Sequence, residues 1–141
     1  MDNRPRCRFT EGSILLPEGY QEQTVNILIA PDAPALNISR DQLVEGEDLA
    51  SYLTRQKGLL KNGLRDWQLL AEQPITLGDS LRQGTALLSR YRPKKGQQVY
   101  QYQAVFRLDE KKALIFTLSS QQAFTEAQRQ WLDDCLKSFQ F

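Results

Sequence analysis

Between Gln97 and Ser119 the chain carries two long runs separated by the four charged residues Asp109-Glu110-Lys111-Lys112. Successive side chains of a strand point to opposite faces, so each run reads as a strand and the charged break as a hairpin turn. In the first run Gln98, Tyr100, Tyr102, Ala104 and Phe106 share one face, and Gln97, Val99, Gln101, Gln103 and Val105 share the other. The second run is Ala113-Leu114-Ile115-Phe116-Thr117-Leu118-Ser119. Neither face of the first strand is purely polar, so both faces of the sheet need cover.

The remaining punctuation extends this sheet. Ser13-Ile14-Leu15-Leu16 is a short strand entering the turn Pro17-Glu18-Gly19-Tyr20. Gln23 to Ala30 alternates into a strand that puts Val25, Ile27 and Ile29 on one face. Pro31-Asp32-Ala33-Pro34 breaks it, and Ala35 to Arg40 returns as its hairpin partner. Trp67 to Leu77 and Thr85 to Tyr91 form two more strands, with a turn at Gly78-Asp79-Ser80 and a candidate bulge at Gly84.

Two segments change the period from two to nearly four. Acids at Glu45, Glu47 and Asp48 suit the positive end of a helix over about 47–62, which carries Leu49, Leu53, Leu60 and Leu64 and stops at Asn62-Gly63. From Thr125 to Phe139, Trp131, Leu132, Cys135, Leu136 and Phe139 form an apolar stripe, and Thr125-Glu126-Ala127-Gln128 has capping-box spacing. The expected fold is α+β in one domain over residues 1–141: an antiparallel sheet of six to seven strands with two main helices packed on one face. The other face is then left for a partner subunit or a bound ligand.

Composition narrows the function. The chain has no histidine, which removes the side chain best suited to proton transfer near neutral pH and the commonest metal ligand. Ser-His-Asp, Cys-His and two-histidine metal sites are excluded, and a binding protein is expected rather than an enzyme. Eighteen Lys plus Arg against seventeen Asp plus Glu give a net charge of +1, with no field to hold a nucleic acid or an anionic membrane. Gly58 to Gly63 has the glycine spacing of a phosphate loop, but Leu64-Arg65 stands where Lys and Ser or Thr are required. No metal site and no cofactor are expected.

Cys7 and Cys135 fit no redox or zinc spacing, and the sequence leaves open whether they meet. Cys135 lies on a helical apolar stripe and reads as a buried, inert thiol, while Trp67 and Trp131 read as core. The opening residues, Met1-Asp2-Asn3-Arg4-Pro5-Arg6-Cys7-Arg8, run into Phe9-Thr10-Glu11-Gly12 without an apolar stretch, and no window approaches the ~20 apolar residues of a membrane span. A cytoplasmic protein without membrane anchoring is the expectation for the chain as given.

A groove floored by Val and Ile with glutamines among them suits a guest that is mostly apolar yet offers polar backbone, because an amide side chain both donates and accepts. An apolar helix with small, closely packing residues is such a guest.

Four pieces in order, Pro17-Glu18-Gly19-Tyr20-Gln21-Glu22-Gln23-Thr24-Val25-Asn26-Ile27, Asn37-Ile38-Ser39-Arg40-Asp41, Tyr52-Leu53-Thr54-Arg55-Gln56 and the Trp131-Leu132 helix, resemble the DcrB-like family. More narrowly, they resemble the Eag chaperones, the effector-associated proteins of bacterial type VI secretion. The resemblance implies a PsbP/Mog1-like fold, a claw-shaped homodimer and no enzymatic activity. It also implies ATP-independent binding of the N-terminal transmembrane region of an effector, often an Rhs-type toxin, before loading onto the VgrG spike. By position, the groove residues it implies are Val25 and Ile27, with Ile29 on the same alternation, Gln56 on the first helix, and Gln103 or Gln101 on a later strand. A small-ligand or lipid-binding protein of the same fold is the alternative.

Overall fold

The computed structural model describes residues 3–79 and 81–141. Its elements are β1 (Arg6–Phe9), β2 (Gly12–Leu15), β3 (Asn26–Ala30), β4 (Ala33–Gln42), α1 (Leu49–Gly63), β5 (Gln68–Leu77), β6 (Arg82–Tyr91), β7 (Val99–Arg107), β8 (Lys112–Ser120) and α2 (Glu126–Lys137). Strands β3 to β8 form one sheet in the order β3-β4-β8-β7-β6-β5, while β1 and β2 pair as a separate ribbon. Every pairing is antiparallel. The α+β class expected from the sequence is therefore what forms, with β1 an addition that the sequence reading lacks. Of the expected turn at Gly78-Asp79-Ser80, Ser80 lies outside the described residues, as do Met1 and Asp2 of the opening stretch.

The helices do not share a face, as the sequence reading had them. Leu132 and Leu136 of α2 are buried with Tyr102, Ala104 and Phe106 of β7. Tyr52 and Leu53 of α1 are buried with Val105 of β7, Leu87 of β6 and Ala113 of β8. Residues 104 and 105 are neighbours on one strand and point to opposite sides, so each helix has its own face. Topology gives the reason. With three antiparallel strands standing between them, β4 and β5 run in the same direction, so the segment joining them has to cross the sheet, and α1 lies over the face it crosses. Helix α2 follows β8 and returns over the opposite face.

Local chemistry fixes both helix ends. Asp48 caps α1 by accepting the Ser51 N–H at 2.8 Å. At α2 both halves of the capping box are made: Thr125 Oγ1 accepts the Gln128 N–H at 3.1 Å, and Gln128 Oε1 accepts the Thr125 N–H at 2.9 Å. The fully buried Leu132 contributes about 1.5–3 kcal/mol of apolar burial.

Gly84 is not a bulge. It pairs in register with Ile75 and Phe106, and a Cβ there would lie 2.3 Å from the Val105 carbonyl oxygen and 2.4 Å from the Phe106 ring. Glycine is required by close approach, and the register shifts fall instead at Leu69/Ala71 and Leu28/Ala30. Strand β3 begins at Asn26, leaving Gln23 to Val25 outside it.

Candidate functional site

Strand β3 closes one edge of the sheet, and all five of its residues are exposed. Ile27 is 57% and Ile29 81% exposed, and Val25 just before the strand is 51% exposed. Natural edge strands are usually short, charged or covered, and this one is short but apolar and bare.

From Ile27 a transverse row can be followed across the sheet. Ile27 pairs with Asn37, Asn37 with Thr117, Thr117 with Gln103, Gln103 with Leu87, and Leu87 with Glu72. Directly paired residues share a face, so Ile27 and Gln103 look out on the same side, three strand spacings or about 14 Å apart. Helix α1 is on that side: Lys57 Nζ reaches Glu72 Oε2 at 2.8 Å, and Tyr52 and Leu53 pack on Val105. Gln101 belongs to this face too, opposite Ser119 and Ser89.

The floor that α1 leaves is polar and shallow. Asn37 and Ser119 are exposed, and Ser39, Thr117, Gln101 and Gln103 are half-buried. Gln103 Nε2 donates to Thr117 Oγ1 at 3.3 Å. Asn37, Ser39, Thr117 and Ser119 are functional candidates that the sequence reading did not single out. Their signal was present in Asn37-Ile38-Ser39 and Thr117-Leu118-Ser119, where small polar residues alternate with core residues. Short side chains let a guest lie close to the backbone, as small residues do between membrane helices.

Gln56, on α1, is tied to the same face through β4. Its Nε2 donates to Asp41 Oδ2 at 3.2 Å, and the Tyr52 hydroxyl donates to the same oxygen at 2.7 Å. Burial pushes the Tyr52 hydroxyl well above its usual pKa, and the Asp41 hydrogen bond and charge push it further. One residue before Gln56, Arg55 is held by Glu47 at 2.9 Å, and its guanidinium lies 5.2 Å from the centre of the Tyr52 ring. The hydrogen bond from Arg55 holds the Glu47 carboxyl below the usual carboxylate range.

Of the residues expected to line a groove, Ile27, Gln101, Gln103 and Gln56 thus belong to one face. Ile29 lies where the ladder is irregular: the register shift between Leu28 and Ala30 sets it against two residues of β4, Pro34 and Ala35, and it lines an apolar cleft of about 350 Å³ with Leu28, Pro34, Leu118 and Trp131. That cleft lies on the α2 side. Trp131 is 48% exposed at its rim, not core as its place on the helical stripe suggested.

Gly58 to Gly63 lies inside α1 and forms no loop. Among the described residues no group of three or more His, Cys, Asp or Glu could hold a metal ion, and Cys7 and Cys135 are free thiols. Cys135 is partly exposed, and burial raises its thiol pKa. No described helix is long and apolar enough to cross a membrane.

A sequence model of the family described as DcrB matches residues 11–138. Among solved structures, the crystal structure of PA94 from Pseudomonas aeruginosa, a protein of unknown function described as a candidate regulator, is 19% identical with a TM-score of 0.68. The match covers 96% of this chain and 94% of that one, and at this identity it speaks for the fold alone. None of the curated proteins matches this chain.

Proposed function

The chain belongs to the DcrB family, and from that premise we propose that it is an ATP-independent chaperone of type VI secretion. Its guest is the N-terminal transmembrane region of an effector, of the Rhs toxin type, which it shields in the cytoplasm until the effector is loaded onto the VgrG spike. It works as a homodimer, without catalysis and without a cofactor.

One observation carries this reading: the row from Ile27 through Asn37 and Thr117 to Gln103, apolar at its bare edge and amide and hydroxyl along its floor. A span of about 20 apolar residues released into water aggregates, so it needs apolar contact. Covering about 400 Å² of it at about 25 cal/mol per Å² is on the order of 10 kcal/mol, from which association removes at least about 4. Polar floor groups then meet the small-residue positions through which such helices pack. A passive holder needs neither a proton shuttle nor a charged field, which accords with a histidine-free chain of net charge +1.

The test is co-expression of the full chain with an effector N-terminal region containing one span of about 20 apolar residues. A stable complex that co-purifies, with the chaperone eluting as a dimer on size exclusion, is the expected result. Failure to hold any such region overturns the reading.

A second reading, a small apolar ligand or lipid as guest, is favoured by the cleft at Trp131, whose volume of about 350 Å³ lies within the range of ligand pockets. Lipid in the purified protein, with no effector complex, would decide for it.

A further inference from the structure

Asp41 lies on β4 and is not itself one of the expected groove residues. Its Oδ1 accepts the Gln42 N–H at 2.8 Å, and its Oδ2 accepts both the Tyr52 hydroxyl at 2.7 Å and the Gln56 amide at 3.2 Å. An ionised carboxylate only accepts, so the end of the Gln56 amide that faces it has to be the nitrogen. The amide is planar, with oxygen and nitrogen on opposite sides. Gln56 Oε1 is therefore turned away from Asp41, and the half-buried side chain offers an acceptor rather than an ambiguous donor-acceptor pair.

We propose that Asp41, held by Tyr52, is a positioning residue that locks Gln56 with its carbonyl oxygen outward, so that the site selects apolar helices carrying hydroxyl donors. This rests on the chaperone reading and narrows its guest. A serine or threonine on the packing face of an apolar helix donates to Gln56 Oε1, whereas alanine at the same place packs equally well and donates nothing. Tyr52 is part of the lock because its buried hydroxyl gives Asp41 a second strong donor and leaves the carboxylate one orientation.

Two synthetic probes separate the possibilities: a lysine-flanked leucine-rich peptide of about 20 residues with serine at every fourth position, and its alanine counterpart. The wild-type chain should hold the serine peptide about three- to tenfold more tightly, the effect of one net hydrogen bond. In Asp41→Asn, whose amide can face Gln56 with either end, the preference should fall toward one while both peptides are still held. Gln56→Met should also lose the preference, and adding Asp41→Asn to it should change nothing further. The Gln56 side-chain amide protons of the free wild-type protein should exchange with solvent more slowly than those of exposed Gln122, and should lose that protection in Asp41→Asn. Equal binding of the two peptides by the wild type overturns the positioning role while leaving the chaperone reading intact. Binding of neither peptide overturns both, and an unprotected Gln56 amide overturns the lock whatever the peptides do.

Discussion

Ile27 on the edge strand and Gln103 near the centre of the sheet face the same side, joined in one row through Asn37 and Thr117. The apolar member is exposed and the amide member half-buried, so a guest crossing from one to the other meets apolar contact first and hydrogen-bonding groups beneath it.

Ile27→Asp tests whether the edge serves a guest or the fold. Ile27 is 57% exposed, so the charge costs the free protein within about 0.5 kcal/mol. Urea unfolding should hardly move, whereas co-purification with an effector N-terminal region should be lost. A large loss of stability would place Ile27 in the folding core instead.

Gly84→Ala should be far more costly than its single methyl suggests. The new Cβ would meet the Val105 carbonyl oxygen and the Phe106 ring, neither of which can retreat within a central strand. Overpacking of this kind costs typically about 1–3 kcal/mol, read as a lowered urea midpoint with little change in slope.

Thr125→Ala removes one half of the capping box on α2 and leaves the Gln128 N–H without its side-chain acceptor. A loss of about 1 kcal/mol is expected in chemical unfolding. Thr125→Ser should retain most of it, because serine supplies the same oxygen.

How far the sequence carried is seen on β7. Alternation alone put Tyr102, Ala104 and Phe106 on one face and Gln101, Gln103 and Val105 on the other, and this is the observed division. Alternation says nothing about which helix covers which face. That depended on β4 and β5 having three strands between them and running the same way, a long-range fact with no local signal. The cleft beside Ile29 was hidden for a related reason: the bulge that sets Ile29 against both Pro34 and Ala35 lies on the partner strand β4, and nothing in Asn26-Ile27-Leu28-Ile29-Ala30 marks it. The capping box at Thr125 was legible because all of its chemistry lies within four residues. Asp41 was not, since its partners Tyr52 and Gln56 reach it only after α1 crosses the sheet.

Alkaline pH should weaken the fold through two tyrosines. Burial raises the Tyr52 hydroxyl pKa, with the Asp41 hydrogen bond and charge adding to it, and burial followed by the Asp133 charge raises that of Tyr102. Both favour the neutral form in the folded state. Their contribution is complete below the unfolded tyrosine pKa of about 10 and is lost as pH rises beyond it. The urea midpoint should therefore fall between pH 9.5 and 11, roughly the span around that pKa. Tyr52→Phe should start lower at neutral pH, by about 1 kcal/mol for the lost hydrogen bond to Asp41, and fall less steeply.

Trp131 provides an optical means of telling the two candidate guests apart, because the cleft it borders and the Ile27–Gln103 row lie on opposite faces of the sheet. With Trp67→Phe, Trp131 is the sole tryptophan. Its side chain is about half exposed, so its emission should lie toward the red and should move to the blue when an apolar group displaces water from the cleft. A fatty acid that enters the cleft should produce that shift, and Leu28→Asp, which puts a charge into the lining at an exposed position, should abolish it. An apolar helix held on the α1 face should leave the emission where it was, because α2 and the sheet lie between. A blue shift on binding the peptide would mean that the guest wraps the β3 edge and reaches both faces. That outcome would join the bare edge and the cleft into one site and overturn their assignment to separate guests.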